Sequence, residues 1–140
     1  MRQAQAAELK ARWCMRWTDS LCFAKLSKID PMMPSNKFQW LIAGFNRSQA
    51  SILTQLRVGH IPLNAYLHRI KQAASPDCLQ CGVGSEMVHH FLFNCQAWRS
   101  ERWAMDKVLR REVKSLQHIL SHQEGAEELL RFIGRMEWFT

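Results

Sequence analysis

Eighteen residues near the middle of the chain, 78–95, concentrate side chains that bind metals. The stretch reads CLQCGVGSEMVHHFLFNC and holds three of the five cysteines and two of the six histidines. Cys78 and Cys81 form a C-x2-C pair, a spacing that lets two thiolates of one tight turn point at a single ion. Cys95 and a histidine before it complete four ligands of the types that Zn²⁺ prefers. The spacing therefore predicts a closed Cys3His zinc site.

Two adjacent histidines compete for the imidazole position. His90 gives the spacing C-x2-C-x8-H-x4-C, and His89 gives C-x2-C-x7-H-x5-C. We favour His90 because Val88 and Phe91 are expected to anchor the segment on either side. With either histidine, four protein ligands leave no open position for water, so the site is expected to be structural rather than catalytic.

The alternative interpretation of this stretch is three buried free cysteines and two surface histidines, since cysteine is often buried as a small hydrophobic residue. The close spacing of the cysteine and histidine pairs, beside glycine-containing turn sequence, favours the metal site. The remaining cysteines, Cys14 and Cys22, lie in a helical pattern, and we expect them to pack rather than to bind metal.

The elements that position this site are predicted to be short helices, so the expected fold class is all-α with little or no sheet beyond the zinc turn. No segment shows the sustained alternation of apolar and polar residues that is typical of strands. The chain divides into a basic helical arm and connector (1–35), a helical segment (36–74), the CCHC zinc knuckle (75–96) and the C-terminal helices (97–140).

The pattern predicts one helix through the arm as far as DPMMPSN, where proline removes a backbone donor. Four apolar residues recur at steps of four, which places them along one slowly drifting face of that helix. They are Leu9, Trp13, Trp17 and Leu21.

Later helices have clear boundaries. Asn46 or Ser48 is the expected N-cap of the helix in NRSQASILTQLRVGH, and Gly59 with Pro62 marks its end. Beyond the knuckle we expect a helix over 96–113, then a short helix, a glycine-containing turn and a final helix.

Positive charge is concentrated in the first half of the chain. Residues 1–73 hold eleven Lys and Arg against three acidic residues, a net charge of +8, whereas residues 74–140 hold eight against nine, a net charge of −1. A basic half indicates attraction to a polyanion, because phosphate neutralisation scales with the cations presented. A solvated basic surface is the alternative interpretation.

Several function classes are disfavoured. The apolar runs are too short for a transmembrane helix, and the N-terminal sequence lacks the apolar core of a secretory signal. We therefore expect an intracellular protein in which clustered cysteines bind metal rather than form disulfides. The aspartates are scattered over helix starts and turns, whereas nuclease and polymerase sites need clustered carboxylates to hold two metal ions. We expect no catalytic activity.

A longer block surrounds the cysteines: RSQASILTQLRVGHIPLNAYLHRIKQAASPDCLQCGVGSEMVHHFLFNCQAWRSER. It resembles the C-terminal tail of fungal non-LTR (LINE-like) retrotransposon polyproteins, in which Q-A-S-L-L-T-Q-L-R-T-G-H-x-x-L-N-x-x-L-H-R follows the RNase H domain. That segment leads into S-P-x-C-x-x-C-G, an E-T-V-x-H-F-L stretch and a final cysteine. Residues 28–38 are similar to the family's connector, K-I-D-P-x-x-P-S-x-K-F. Residues 129–139 are similar to its closing helix, except that Met136-Glu137-Trp138 replaces the usual T-G-R.

The resemblance implies a zinc-binding domain of the reverse transcriptase type, with His90 as the third ligand. It further implies a nucleic-acid handle that helps to hold element RNA or target DNA during reverse transcription. The reverse transcriptase and RNase H domains of the same element are the implied protein partners.

Candidate nucleic-acid contacts fall in the central block. The cations expected to contact phosphate are Arg47, Arg57, Arg69 and Lys71. The aromatic side chains that offer stacking surfaces are Tyr66, Trp40 and Trp98. The alternative interpretation is that the arginines are simply solvated and that the tryptophans lie in the core. Two other functions stay open: a module that docks on the polymerase through exposed tryptophans, and a decayed element fragment with no selected function.

Overall fold

The computed structural model describes residues 1–32, 35–110 and 115–137, and these are mostly helical. The described residues contain no strand, apart from one isolated antiparallel bridge between Asp77 and Ser85 in the knuckle. The expected all-α class is confirmed. The helices are α1 (Arg2–Thr18), α2 (Phe23–Ile29), α3 (Lys37–Ala43), α4 (Arg47–Val58), α5 (Asn64–Arg69), a π-helical turn (His90–Asn94), a 3-10 turn (Gln96–Trp98), α6 (Arg99–Leu109), α7 (Leu116–Ser121) and α8 (Gln123–Met136).

The core lies between the C-terminal helices and the first half of the chain. Helix α8 packs on α6 and α7, while α7 also contacts α2, α3 and α4. Phe91 and Leu92 of the π-helical turn are fully buried in the same hydrophobic cluster, and the Phe91 ring lies 5.7 Å from that of Phe132 in α8. The knuckle and the surrounding helices therefore share one core.

The first turn of α8 sits unusually close to α7. Gly125 lies inside this helix, and not in a separating turn as the sequence suggested. A Cβ at this position would lie 2.5 Å from the carbonyl oxygen of His118 and 2.8 Å from Cα of Ile119, so a side chain would push the two helices apart. The glycine permits the close approach of the two helices rather than ending one of them.

The helical structure of the N-terminal arm differs most from the prediction. The single helix predicted up to Pro31 is interrupted at residues 19–22, where α1 ends and α2 begins. Thr18, Asp19 and Ser20 are weak helix formers whose side chains compete for backbone groups, and the Thr18 hydroxyl does donate to the carbonyl of Met15 at 2.8 Å. The interruption lets α2 turn back onto α7.

The apolar face predicted for the arm does not enter the core. All residues of α1 lie in the described part of the chain, and none of them is buried. Leu9 is 65% exposed, Trp13 55% and Leu21 102%. Trp17 makes an edge-on contact with Phe23 across the interruption, at 5.8 Å between ring centroids.

The expected boundaries of α4 are confirmed. Asn46 accepts a hydrogen bond from the backbone N–H of Gln49, and the Gln49 side chain accepts one from Asn46, forming a capping box. Gly59 ends the helix in the left-handed conformation with φ 72°.

The long helix predicted over 96–113 starts with the 3-10 turn and, as α6, ends at Leu109. Val113, the last residue of that prediction, lies outside the described residues. None of the described helices combines the length and apolar character needed to cross a membrane.

Candidate metal centre

Four side chains converge at the knuckle: Cys78, Cys81, His90 and Cys95. Their ligand atoms all lie within 4.8 Å of one another, close enough to hold a metal ion. The two buried sulfurs, Sγ of Cys78 and Sγ of Cys95, are 3.8 Å apart, and Sγ of Cys81 is 3.4 Å from Nε2 of His90. His89 lies outside this group, with its ring against Phe93 at 4.9 Å.

The C-x2-C pair lies on a tight turn that two left-handed glycines make possible. Gly82 and Gly84 have φ of 68° and 71°, conformations that other residues rarely adopt. The N–H of Gly82 donates to the carbonyl of Cys78, and the N–H of Cys78 donates to the carbonyl of Gly84, both at 2.9 Å. Sγ of Cys81 accepts from the N–H of Val83 at 3.4 Å. Such a donor stabilises a thiolate, the form that binds metal.

The π-helical turn brings the other two ligands together. In an α-helix, residues five apart point about 140° away from each other around the axis. Here the N–H of Cys95 instead donates to the carbonyl of His90 at 2.8 Å, an i to i+5 bond. The wider turn returns the chain almost above its starting point, so His90 and Cys95 lie close enough to hold the same ion.

The three thiols differ in burial and therefore in pKa. Cys78 and Cys95 are 2% and 1% exposed, and desolvation raises the pKa of Cys78 to about 12 and raises the pKa of Cys95. The hydrogen bond from Val83 lowers the pKa of the more accessible Cys81. Without metal, the two buried thiols are therefore protonated at neutral pH, and Cys81 is the thiol that loses its proton most easily.

A buried carboxylate, Glu86, links the centre to α5. This side chain is only 3% exposed, and Oε2 accepts from the backbone N–H of Asn64 at 2.7 Å. Oε1 accepts from Sγ of Cys78 at 3.7 Å. The side chain of Asn64 donates to the carbonyl of Asp77 at 2.8 Å. These bonds fix the C-x2-C turn against the start of α5, a role that the sequence analysis did not assign.

A buried arginine, Arg102, holds the π-helical turn from the other side. Its Nε donates to the carbonyl of Leu92 at 2.8 Å, and a terminal nitrogen donates to the carbonyl of Cys95 at 2.7 Å. Desolvation lowers the pKa of Arg102, while Cys95 in its thiolate form raises it. Sequence reasoning missed this residue, although it shares the buried face of α6 with Met105 and Leu109 and so interrupts an apolar pattern.

Three of the four proposed phosphate contacts are exposed, namely Arg47, Arg69 and Lys71. The fourth, Arg57, is only 3% exposed, and this burial argues against its predicted role as a phosphate contact. Its guanidinium lies 3.6 Å from the carboxylate of Asp30, donates to the carbonyl of Leu120 at 2.9 Å and stacks over the ring of Phe38 at 4.0 Å. Burial of this group is explained by these partners, which replace water.

The proposed aromatic platforms also differ in accessibility. Trp40 is 73% exposed, whereas Trp98 packs against the core. Tyr66 is partly buried, stacks on His60 at 5.0 Å between ring centroids, and lies 5.2 Å from the guanidinium carbon of Arg69.

Comparison with known proteins returns no match, neither to a protein-family model nor to a curated protein nor to a solved structure. A function is therefore inferred from the geometry of the knuckle and from the charge distribution along the chain.

Proposed function

We propose that the Cys3His centre binds Zn²⁺ as a structural ion. Tetrahedral zinc with Zn–S of about 2.3 Å and Zn–N of about 2.0 Å requires neighbouring sulfurs to be about 3.8 Å apart and a sulfur and nitrogen about 3.5 Å apart. The observed separations of 3.8 Å and 3.4 Å agree with these values. Thiolates and imidazole also favour zinc over the oxygen-seeking Mg²⁺ and Ca²⁺.

In this proposal the ion has a mechanical role. Cys78 and Cys81 lie on one turn, while His90 and Cys95 lie at the two ends of the π-helical turn that carries Phe91 and Leu92 into the core. A shared ion joins the two turns, so it fixes how the knuckle packs against the helices. Four protein ligands leave no position for a reacting water.

We further propose that the domain binds RNA or DNA without catalysing a reaction, as the zinc-binding tails of LINE-like reverse transcriptases are expected to do. The observation that carries this proposal is the Cys3His centre set beside a strongly basic half, with a net charge of +8 over residues 1–73. Arg47, Arg69 and Lys71 present their cations to solvent there. Cations on the surface of a rigid domain attract the phosphate backbone and release its counterions.

Titration of the zinc-loaded protein with a short labelled single-stranded RNA, and then DNA, tests this function. We expect an affinity that falls as salt rises, by a slope of about 0.7 for each phosphate contacted. The matched control is a morpholino oligomer of the same base sequence, which lacks phosphate charge. Equal affinity for the neutral and the charged oligomer, without a salt slope, would contradict the proposal.

The apparent zinc affinity is expected to rise steeply with pH. Because burial raises the pKa of Cys78 to about 12 and also raises that of Cys95, zinc must displace a proton from each of these thiols at neutral pH. Each displaced proton makes the affinity tenfold weaker for each pH unit of acidification, so displacement from these two thiols alone predicts a loss of at least about a hundredfold between pH 7 and pH 6. Competition with a chelator of known pH dependence measures this slope. An affinity that does not change over this range would show that the thiols are not the ligands.

A second function has one specific observation in its favour. Leu9, Trp13 and Met15 of α1 are all more than half exposed, on a helix that buries none of its described residues. Large apolar side chains in such a position suit docking on another protein, and aromatic anchors often dominate such contacts. Under this alternative the upstream polymerase and RNase H domains are the proposed partners, and binding follows apolar contact rather than salt.

A further inference from the structure

A groove opens between α2, the α4–α5 connection, α5 and the knuckle. Its volume is about 370 Å³, at the lower end of the ~300–1,000 Å³ typical of small-ligand sites. Ile61, Leu63 and Val88 supply apolar lining, and Tyr66 supplies an aromatic wall. Two cations, Lys25 and Arg69, line the same groove. This combination of apolar lining and positive charge suits a flat, partly apolar ligand that carries an anion.

The position of Lys25 is fixed by the end of α4. Its Nζ donates to the carbonyl of Val58 at 3.0 Å, in space that stays open because Gly59 has no side chain; a Cβ there would overlap Nζ. Desolvation lowers the pKa of Lys25, and the nearby charge of Arg69 lowers it further. Lys25 and Arg69 therefore repel each other across the groove. An anion bound between them would offset this repulsion.

The other polar groups of the groove leave this positive character in place. Glu86 is an acidic residue of the lining, but it is only 3% exposed and its Oε2 accepts from the backbone N–H of Asn64, so little of the carboxylate faces the groove. His89, the histidine that stands outside the metal cluster, also lines the groove. The Tyr66 ring stacks on His60, and the Arg69 guanidinium carbon lies over the ring at 5.2 Å from its centroid, so a base reaches the ring when the Arg69 side chain swings aside toward the phosphate.

We propose that this groove binds one unpaired nucleotide of a single strand, with the base against Tyr66 and the apolar lining and a phosphate between Lys25 and Arg69. The inference rests on the proposed nucleic-acid function and deepens it by naming a site and a form of nucleic acid. A base paired in a duplex does not fit, because its faces and edges are already covered by its neighbours.

Binding of short labelled oligo(dT) and oligo(U), each compared with an abasic strand of equal length, tests the site. Tyr66→Ala is expected to weaken binding of the base-bearing strands about tenfold, the size of one lost stacking contact, and to leave the abasic strand unchanged. Arg69→Gln and Lys25→Gln are expected to weaken both kinds of strand several-fold, each lowering the salt slope by about 1.

Matched controls separate the groove from general charge and folding. Trp103→Ala removes an exposed aromatic ring of α6, and Arg99→Gln removes an exposed arginine of the same helix; both are expected to leave the discrimination between base-bearing and abasic strands intact. Tyr66→Phe keeps the ring and is expected to bind like the unaltered protein. The circular dichroism spectrum of each variant establishes that it is folded.

The outcomes distinguish this site from the broader function. Salt-dependent binding that no groove variant changes would place the contact elsewhere and overturn the site, while leaving the nucleic-acid function standing. Equal affinity for duplex and single strands would likewise overturn it. Failure of the unaltered protein to bind any strand would remove the site together with the function.

Discussion

Serine in place of Cys95 is expected to abolish stoichiometric zinc binding and to melt the knuckle. Structural zinc contributes about 10–16 kcal/mol in small zinc-binding peptides, as much as the whole stability of a typical domain. Cys95 closes the π-helical turn and shares the centre with the C-x2-C pair, so its loss leaves an incomplete site. Phe91 and Leu92 then lose the constraint that directs them into the core. Metal analysis of protein purified without added zinc, together with circular dichroism, measures both effects.

Cys22→Ser is the matched control. Cys22 is exposed and lies outside the cluster of ligands, so this variant is expected to retain about one zinc per chain and an unchanged helical signal. Cys78→Ser is expected to behave like Cys95→Ser. If Cys95→Ser still held about one zinc per chain with full helical signal, the metal centre would have to be assigned to other residues.

Methionine in place of Arg57 is expected to destabilise the fold by about 3–5 kcal/mol, the usual cost of removing one partner from a buried ion pair. The substitution leaves the Asp30 carboxylate, 7% exposed, without its cation and the carbonyl of Leu120 without its donor. The contact with Phe38 is lost as well. Urea denaturation of the zinc-loaded protein measures the change in the free energy of unfolding.

Arg47→Met provides the contrast on the same helix. Arg47 is the exposed first residue of α4, so its removal is expected to change stability by no more than about 0.5 kcal/mol while weakening nucleic-acid binding. Arg57→Met is expected to do the reverse, with unchanged affinity once results are corrected for the folded fraction. A stable Arg57→Met variant with weakened binding would restore Arg57 to the nucleic-acid surface.

The candidate metal ligands are local enough in sequence to be predicted without a structure. Cys78 and Cys81 are tied by the C-x2-C spacing, and two glycines after them mark the tight turn. The choice between His89 and His90 is different, because it depends on a π-helical turn. One additional residue in a helical turn leaves no compositional trace, so the sequence supports both spacings until the backbone is known.

The residues that support the ligand-bearing turns could not be predicted from the sequence, for a different reason. Glu86 and Arg102 act through backbone groups of Asn64, Leu92 and Cys95, and no side-chain spacing records such bonds. Burial of an arginine also runs against the usual preference of that residue for the surface. A partial signal existed, because Arg102 occupies a position on the apolar face of its helix.

The position of Arg57 on the apolar face of its helix was a similar indication of burial. It follows Leu53 and Leu56 at the spacing of a buried helix face, and all three are buried in α4. A stricter reading of helical periodicity places Arg57 in the core, where a distant acidic partner is required. The partner, Asp30, comes from the connector after α2, and only tertiary structure joins the two.

The placement of Arg102 has an electrostatic consequence for the proposed binding of zinc and nucleic acid. Three thiolates, one neutral imidazole and a divalent ion sum to one negative charge, which in a poorly polarisable interior would project a repulsive field toward an approaching strand. The guanidinium beside Cys95 supplies the opposite charge within the same buried volume. Glu86, the buried carboxylate beside Cys78, adds a second negative charge, so Arg102 halves the buried negative charge and thereby weakens its repulsion of a phosphate.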